Sequence, residues 1–156
     1  METVKRQDMA AFLYRLAGSP AFEAPAESPF SDVDASTPHY REICWLASTG
    51  ISRGWDVGCS KPEFRGMDSV KRQDMAAFLY RLAGSPAFEA PAESPFSDVD
   101  ASTPHYAEVC WLAESGVSRG WDVGGARPEF RGMSSVVRQD MAAFLHRMSD
   151  GGLVNP

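Results

Sequence analysis

The feature that most constrains this chain is an exact internal repeat. Residues 4–40 recur without a change at 70–106, and the opening of the repeat returns a third time at 136–148, so an offset of 66 residues organises the chain. Segment 30–67, in contrast, has only one counterpart, at 96–133. A repeated unit gains stability by burying its apolar face against copies of itself, and each copy presents the same surface again. This architecture favours multivalent binding over catalysis.

Each of the three opening segments has the apolar pattern of a helix. Large apolar side chains stand at the i, i+3, i+4 and i+7 positions from Met9 to Leu16, and the pattern restarts at Met75 and at Met141. Gly18 is the expected C-terminal stop of the first helix. Because a helix of about four turns is marginal alone, we expect an all-α protein in which these three helices form a central bundle.

A second helix and a long loop complete each unit. Thr37 is the predicted N-cap of the second helix, Pro38 fits its first turn and Gly50 ends it. Residues 20–29 contain three prolines and are predicted to be an extended connector. Residues 52–69 have no periodicity and are rich in glycine and proline, which predicts a structured loop of the kind that often carries binding groups.

Composition excludes several classes of function. The net charge of -6, with basic residues scattered among acids, argues against a nucleic-acid partner. No apolar run approaches the roughly 18 residues of a membrane span. Cys44 and Cys59 could form a disulfide in an oxidising compartment, leaving Cys110 unpaired, or all three could be simple buried thiols. Three cysteines without a Cys-x-x-Cys pair predict no zinc site.

Catalytic motifs are also missing from the sequence. There is no nucleophile elbow, no paired metal-binding histidines and no phosphate-binding glycine loop. The Asp32 and Asp34 pair lacks the glycine and the closing glutamate of a calcium loop. We therefore predict that the protein is not an enzyme and that it uses no cofactor and no metal.

Four motifs follow one another in a fixed order. They are FSDV at 30–33, GISRGW at 50–55, PEFRGM at 62–67 and VKRQDMAAFLYRL at 70–82, and all four return in the second unit with small changes. Their order and spacing resemble the S-layer homology family, in the type found in actinobacterial cell-surface repeats. The resemblance implies a pseudo-threefold spindle, with the motif helices in a central bundle and the segments between them projecting as prongs. Three helices with two such segments leave the third prong missing.

The repeat boundaries also predict the domain organisation. Residues 1–19 would form a partial repeat with only the core helix, residues 20–85 and 86–151 two complete repeats, and residues 152–156 a tail. A lone unit of this size has a marginal core, so we expect all of them to pack as one domain.

The resemblance also implies a binding site. Arg6, Arg72 and Arg138 hold the position of the family's motif arginine, which helps bind acidic, often pyruvate-bearing, cell-wall polysaccharide in grooves between modules. A guanidinium suits a carboxylate through paired hydrogen bonds, although an internal ion pair with a neighbouring repeat is the alternative. The further candidates share the facing loops and are Arg53, Arg119, Trp55, Trp121, Asp56 and Asp122. Each tryptophan could offer a flat face to a sugar or fill a gap between prong and bundle.

The chain departs from the family at the start of the motif helix. The Thr-x-x-Glu capping box is lost, because Lys5 and Asp8 stand at its two positions in the first copy. Thr3, together with Ser69 and Ser135 in the other copies, is the predicted replacement cap.

The function implied by the resemblance is noncovalent anchoring. The chain would attach a secreted bacterial surface protein to cell-wall polysaccharide outside the cell. The alternative is a self-assembly or protein-binding module, of the adhesin or S-layer type, in which the unfilled third position recruits another chain and homo-oligomers form.

Overall fold

The computed structural model of the protein describes residues 1–58 and 60–154. Within these ranges the chain forms five helices, which are α1 (Arg6–Leu16), α2 (Tyr40–Ser48), α3 (Arg72–Leu82), α4 (Tyr106–Glu114) and α5 (Arg138–Asp150). Helix α1 packs against α2, and α3 packs against α4. Over the described ranges, strand pairing is limited to isolated antiparallel bridges. The fold is therefore mainly helical, as predicted, with long structured loops between the helices.

Three equivalent valines close the centre of the molecule. The amide of Val4 donates to the carbonyl oxygen of Val136 at 2.8 Å, Val136 donates to Val70 at 2.8 Å, and Val70 donates to Val4 at 2.9 Å. All three side chains are fully buried. The ring lies just before the first turns of α1, α3 and α5, so the three motif helices start from one centre. The first copy is a full member of that centre although it has no prong.

Contacts from the next repeat cap the motif helices. The amides of Arg6 and Gln7 donate to the carbonyl oxygens of Asp68 and Gly66, each at 3.0 Å. The corresponding amides of α3 bind two carbonyl oxygens of the loop before α5 in the same way. Backbone carbonyls thus satisfy amides that a side-chain cap would otherwise bind.

The predicted side-chain caps of the motif helices are wrong. None of the three helices has a side-chain cap hydrogen bond. The hydroxyl of Thr3 instead shares a 2.8 Å hydrogen bond with the hydroxyl of Ser69. Because the true capping groups lie about 60 residues away in the chain, no local motif could have revealed them.

The predicted cap of the second helix is also wrong. His39, with a left-handed φ of 61°, holds the N-cap position of α2 and makes no side-chain cap bond. Thr37 lies two residues earlier, where its hydroxyl accepts a 3.0 Å hydrogen bond from the Asp34 amide. A turn held by Asp34 therefore leads the chain into α2.

One apolar cluster draws on all three copies of the repeat. Met9, Met75 and Met141 stand at equivalent positions and are at most 1% exposed. Trp45 and Trp111, on α2 and α4, are each 7% exposed and belong to the same core. Burial of large side chains from every copy is the main source of stability for such a small repeat.

Two further predictions concern thiols and membranes. Cys44 and Cys110 are buried on α2 and α4, whereas Cys59 lies outside the described residues, so its pairing with Cys44 stays a prediction. Among the helices of the described ranges, none has the length and apolar character required to cross a bilayer.

Candidate functional site

Two equivalent grooves lie between the repeats. Groove 1 has a volume of about 280 Å³ and is lined chiefly by Arg6, Arg53, Trp55, Asp74, Arg81 and His105. Groove 2 has a volume of about 170 Å³ and is lined chiefly by Arg72, Arg119, Trp121, Asp140 and Arg147. Each groove therefore combines a prong loop with two motif helices.

An aspartate of the FSDV motif fixes the prong loop. The carboxylate of Asp32 accepts hydrogen bonds from the amides of Phe64 and Arg65, both at 2.7 Å. Asp98 holds the second prong in the same way. Because both carboxylate oxygens accept backbone hydrogen bonds, the role of this aspartate is to hold the loop in its conformation. Among the described residues no cluster of three or more acidic, histidine or cysteine side chains is arranged to hold a metal ion.

A glycine sets the position of the groove tryptophan. Gly54 has a left-handed φ of +71°, and a Cβ built on it would lie 2.7 Å from the carbonyl oxygen of Glu63 and 2.8 Å from a ring carbon of Phe30. The next residue, Trp55, pairs with Glu63 through two backbone hydrogen bonds of 2.8 and 2.9 Å. Only glycine allows this close approach, so the R-G-W order of the loop is a steric requirement.

Trp55 serves as a platform for Arg6. The guanidinium carbon of Arg6 lies 4.0 Å from the indole centroid and 5.2 Å from the ring centroid of Phe78, a cation–π arrangement. The Nε atom donates a 2.7 Å hydrogen bond to the carbonyl oxygen of Phe64. Burial lowers the pKa of Arg6 to about 10, so the guanidinium remains charged at neutral pH.

Groove 2 repeats this arrangement around Arg72. Its guanidinium carbon lies 4.1 Å from the Trp121 centroid and 5.1 Å from that of Phe144, and its Nε atom donates to the carbonyl oxygen of Phe130 at 2.8 Å. Burial likewise lowers the pKa of Arg72 to about 10. The structure thus brings Arg6 and Arg72 into equivalent grooves.

Arg138 has a different environment. It is exposed, its guanidinium carbon lies 5.5 Å from the centroid of Phe12, and it lines neither groove. Arg6 and Arg72, in contrast, are each 3% exposed. No prong in the described ranges covers the third position, so the third motif arginine lacks the tryptophan platform that encloses the other two.

Two aspartates of the candidate set also lie apart from the grooves. Asp56 and Asp122 are exposed, and each accepts a 2.9 Å hydrogen bond from the amide of a glycine two residues later. Neither lines groove 1 or groove 2. Arg53 and Arg119, on the same loops, do line the grooves and are exposed.

A second pair of arginines, not predicted from the sequence, also lines the grooves. Arg81 and Arg147, near the ends of α3 and α5, each line a groove. Arg81 donates a 3.0 Å hydrogen bond to the carbonyl oxygen of Ile51, and Arg147 donates at 2.9 Å to that of Val117. The signal was present, since an arginine recurs at this position in every copy of the motif helix.

Comparison with known families assigns the fold. The family model of the S-layer homology domain matches residues 29–76 and 95–125. The chain belongs to the S-layer homology domain family. Domains of this family are cell-wall anchoring modules that associate with the cell surface and are not enzymes. A search of the curated proteins gave no match to this chain.

Each groove of this S-layer homology chain contains a serine with an unused hydroxyl. Ser52 and Ser118 are 1% and 2% exposed and line grooves 1 and 2. Within the described residues their hydroxyl oxygens have no hydrogen-bond partner. Buried hydroxyls are normally paired, so two equivalent unpaired hydroxyls in the groove walls are groups that a bound ligand or water can satisfy.

The acidic residue of the motif is bound differently in the two grooves. In groove 2, Asp140 lies 3.3 Å from a terminal nitrogen of Arg72. In groove 1, the equivalent Asp74 lies 3.6 Å from Nε2 of His105, which belongs to the following repeat. The two grooves of the S-layer homology fold therefore share their arginines, tryptophan and aspartate but differ in the histidine of groove 1 and in their ion pairs.

Proposed function

We propose that this domain anchors its parent protein to the cell wall by binding an acidic polysaccharide in grooves 1 and 2. The observation that carries the proposal is the convergence of arginines. In a chain of net charge -6, Arg6, Arg53 and Arg81 line one small cavity, and Arg72, Arg119 and Arg147 line its equivalent. A carboxylate on the polysaccharide, such as that of a pyruvate ketal, matches this charge.

The buried arginine of each groove suits the recognition of a carboxylate. Stacking on Trp55 and the hydrogen bond to Phe64 hold the Arg6 guanidinium in place, so little side-chain entropy remains to be lost on binding. Charge-assisted hydrogen bonds between guanidinium and carboxylate are stronger than neutral ones. The unpaired hydroxyl of Ser52 adds a group that can bond a sugar hydroxyl.

Two grooves on one body increase the strength of attachment. A polysaccharide carries many equivalent sugars, so a second groove binds a tethered ligand at an effective concentration set by the chain between the two sugars. Such bivalence raises overall affinity by roughly 10²- to 10⁴-fold without any new contact. Weak single sites are therefore sufficient for an anchor.

The proposal is tested by reversing charge in the grooves. Arg53 and Arg119 are exposed groove residues, so Arg53→Glu with Arg119→Glu should preserve the fold. Binding of purified cell-wall polysaccharide, measured by co-sedimentation, should weaken at least about tenfold, because each groove loses one positive charge and gains a negative one.

The matched control uses arginines outside the grooves. Arg15→Glu with Arg138→Glu makes the same change of net charge at exposed positions on α1 and α5, and binding should stay within about twofold of the parent. Equal loss in both double variants would show that only overall charge matters and would contradict the proposal. Concentration-dependent sedimentation without polysaccharide binding would favour the self-assembly alternative.

A further inference from the structure

The two grooves differ although their local sequences are identical. The segment RQDMAAFL occurs both at 72–79 and at 138–145, so Asp74 and Asp140 have the same neighbours in sequence. The two aspartates nevertheless form different ion pairs. His105 of the following repeat lies against Asp74, whereas Arg72 of the preceding repeat lies against Asp140.

In groove 1 a histidine binds the aspartate. Nε2 of His105 lies 3.6 Å from Asp74, and its Nδ1 lies 3.9 Å from Glu108. Arg6 forms no ion pair with any described residue, and its single side-chain hydrogen bond there is the one from Nε to Phe64. The terminal nitrogens of Arg6 are thus available to a ligand.

In groove 2 the aspartate binds the arginine directly. Asp140 lies 3.3 Å from Nη1 of Arg72, whose side chain is only 4% exposed. Among the described residues, no histidine lies within ion-pair distance of Asp140. A carboxylate that enters groove 2 must compete with this internal carboxylate for the same guanidinium.

We infer that groove 1 is the stronger site for a carboxylate-bearing saccharide, because His105 binds Asp74 and keeps it from the direct ion pair with Arg6 that Asp140 forms with Arg72. His105 is thus a positioning residue, and the Arg72–Asp140 pair is an internal competitor that weakens groove 2. This inference rests on the proposed function, since it assumes that the ligand is an anionic saccharide. A charge displaced by a few ångströms at a partly buried site changes affinity by on the order of tenfold.

His105 carries the positive charge that this role requires. Its pKa is raised to about 9, first by Asp74 and then by Glu108. The other charged groups around it are the groove arginines Arg6, Arg53 and Arg81. A guanidinium has no acceptor atom, so none of them can accept a hydrogen bond from the histidine. Above pH 9 the histidine loses its charge and no longer holds Asp74, so the advantage of groove 1 should disappear.

The two tryptophans allow each groove to be observed separately. Two-dimensional nuclear magnetic resonance of the full chain would follow the indole N–H signals of Trp55 and Trp121 during titration with a methyl hexopyranoside that carries a pyruvate ketal. The same methyl hexopyranoside without the ketal is the uncharged ligand control. Groove 1 should bind the charged sugar about tenfold more tightly than groove 2 at pH 7, and the ratio should fall towards one above pH 9.

Two variants and one matched control test the cause. His105→Asn should weaken groove 1 about tenfold, whereas Asp140→Asn should strengthen groove 2. Asparagine tolerates the left-handed backbone that His105 and His39 share, with φ of 60° and 61°. His39→Asn is the control, because His39 faces Asp8 at 3.7 Å and lines neither groove, and it should leave both affinities unchanged.

A double variant separates positioning from simple loss of charge. When Asp74→Asn is already present, His105→Asn should cost much less affinity, since no carboxylate remains to be held. An undiminished effect in that background, or equal affinities in the parent chain, would overturn this inference while leaving the proposed function intact. Absence of binding at both indoles would overturn the proposed function as well.

Discussion

The amide of Val4 donates a 2.8 Å hydrogen bond to the carbonyl oxygen of Val136, and this contact joins the first copy of the repeat to the last. Val70 completes the ring by bonding to both. The hydrogen-bonded ring uses the backbone of every copy once as donor and once as acceptor, so no copy can be removed without leaving an unpaired buried group in the other two. The three copies therefore close the centre, although the described structure has only two prongs for its three motif helices.

Truncation of a ring valine should destabilise the whole domain. Val4→Ala removes two fully buried methyl groups and should lower the free energy of unfolding by about 2 kcal/mol. Val57→Ala is the matched control, because Val57 is 37% exposed, and it should change the value by less than about 0.5 kcal/mol. Urea unfolding followed by tryptophan fluorescence measures both. Similar effects would argue against a shared centre.

Two glycines of the second prong should respond differently to alanine. Both Gly120 and Gly124 have positive φ, of 70° and 77°, but a Cβ on Gly120 would lie 2.6 Å from the carbonyl oxygen of Glu129, while a Cβ on Gly124 meets nothing within 4 Å. Gly124→Ala should cost about 1 kcal/mol for the backbone conformation alone. Gly120→Ala should cost more and should displace Trp121, which a shift of its indole signal would reveal.

The groove serines should separate stability from binding. Ser52→Ala removes a buried hydroxyl that has no partner in the described residues, so the free energy of unfolding should stay the same or rise by up to about 1 kcal/mol. Polysaccharide affinity should fall. Ser94→Ala is the comparison, because the hydroxyl of that buried serine accepts a 3.0 Å hydrogen bond from the Phe96 amide, and its loss should destabilise by about 1 kcal/mol. The prediction fails if both substitutions destabilise equally.

Stability should decline on the alkaline side of neutrality. The pKa of His105 is raised from 6.5 to about 9 in the folded state, so the folded chain binds more protons than the unfolded chain between those values. The contribution of protonated His105 to the free energy of unfolding is therefore full below about pH 6.5 and is lost as pH rises through about 9. Urea unfolding across this range should show a decline that is shallower in His105→Asn. An identical slope in the variant would contradict the raised pKa.

The sequence predicted the motif helices well but not their ends. The apolar spacing from Met9 to Leu16 and the following glycine locate α1 within a few residues, because helix periodicity is a local property. The predicted cap at Thr3 is wrong, since carbonyls of another repeat complete the first turn of α1. The predicted cap at Thr37 is wrong because His39 holds the N-cap position of α2. Capping by a distant backbone leaves no signature in the local sequence.

The candidate site was predictable in part. The repeat and the family motif pointed to Arg6, Arg72 and the loop residues Trp55 and Trp121, which line the grooves as two equivalent sets. Arg138 shares its motif with Arg6 and Arg72, but it is exposed and lines neither groove, because no prong of the described structure lies against it. Identical segments of a repeat therefore have different roles when different residues pack against them.

The sequence by itself determined the repeat, the helices, the family and the arginines available for binding, because each of these depends on the order of residues along one stretch of chain. Only the tertiary structure decided the valine ring, the caps from neighbouring repeats, and the choice of partner for Asp74 and Asp140. These depend on which groups meet across about 30 residues or more of chain. His105 packs against Asp74 and Arg72 packs against Asp140, and the electrostatics of the two grooves differ for that reason.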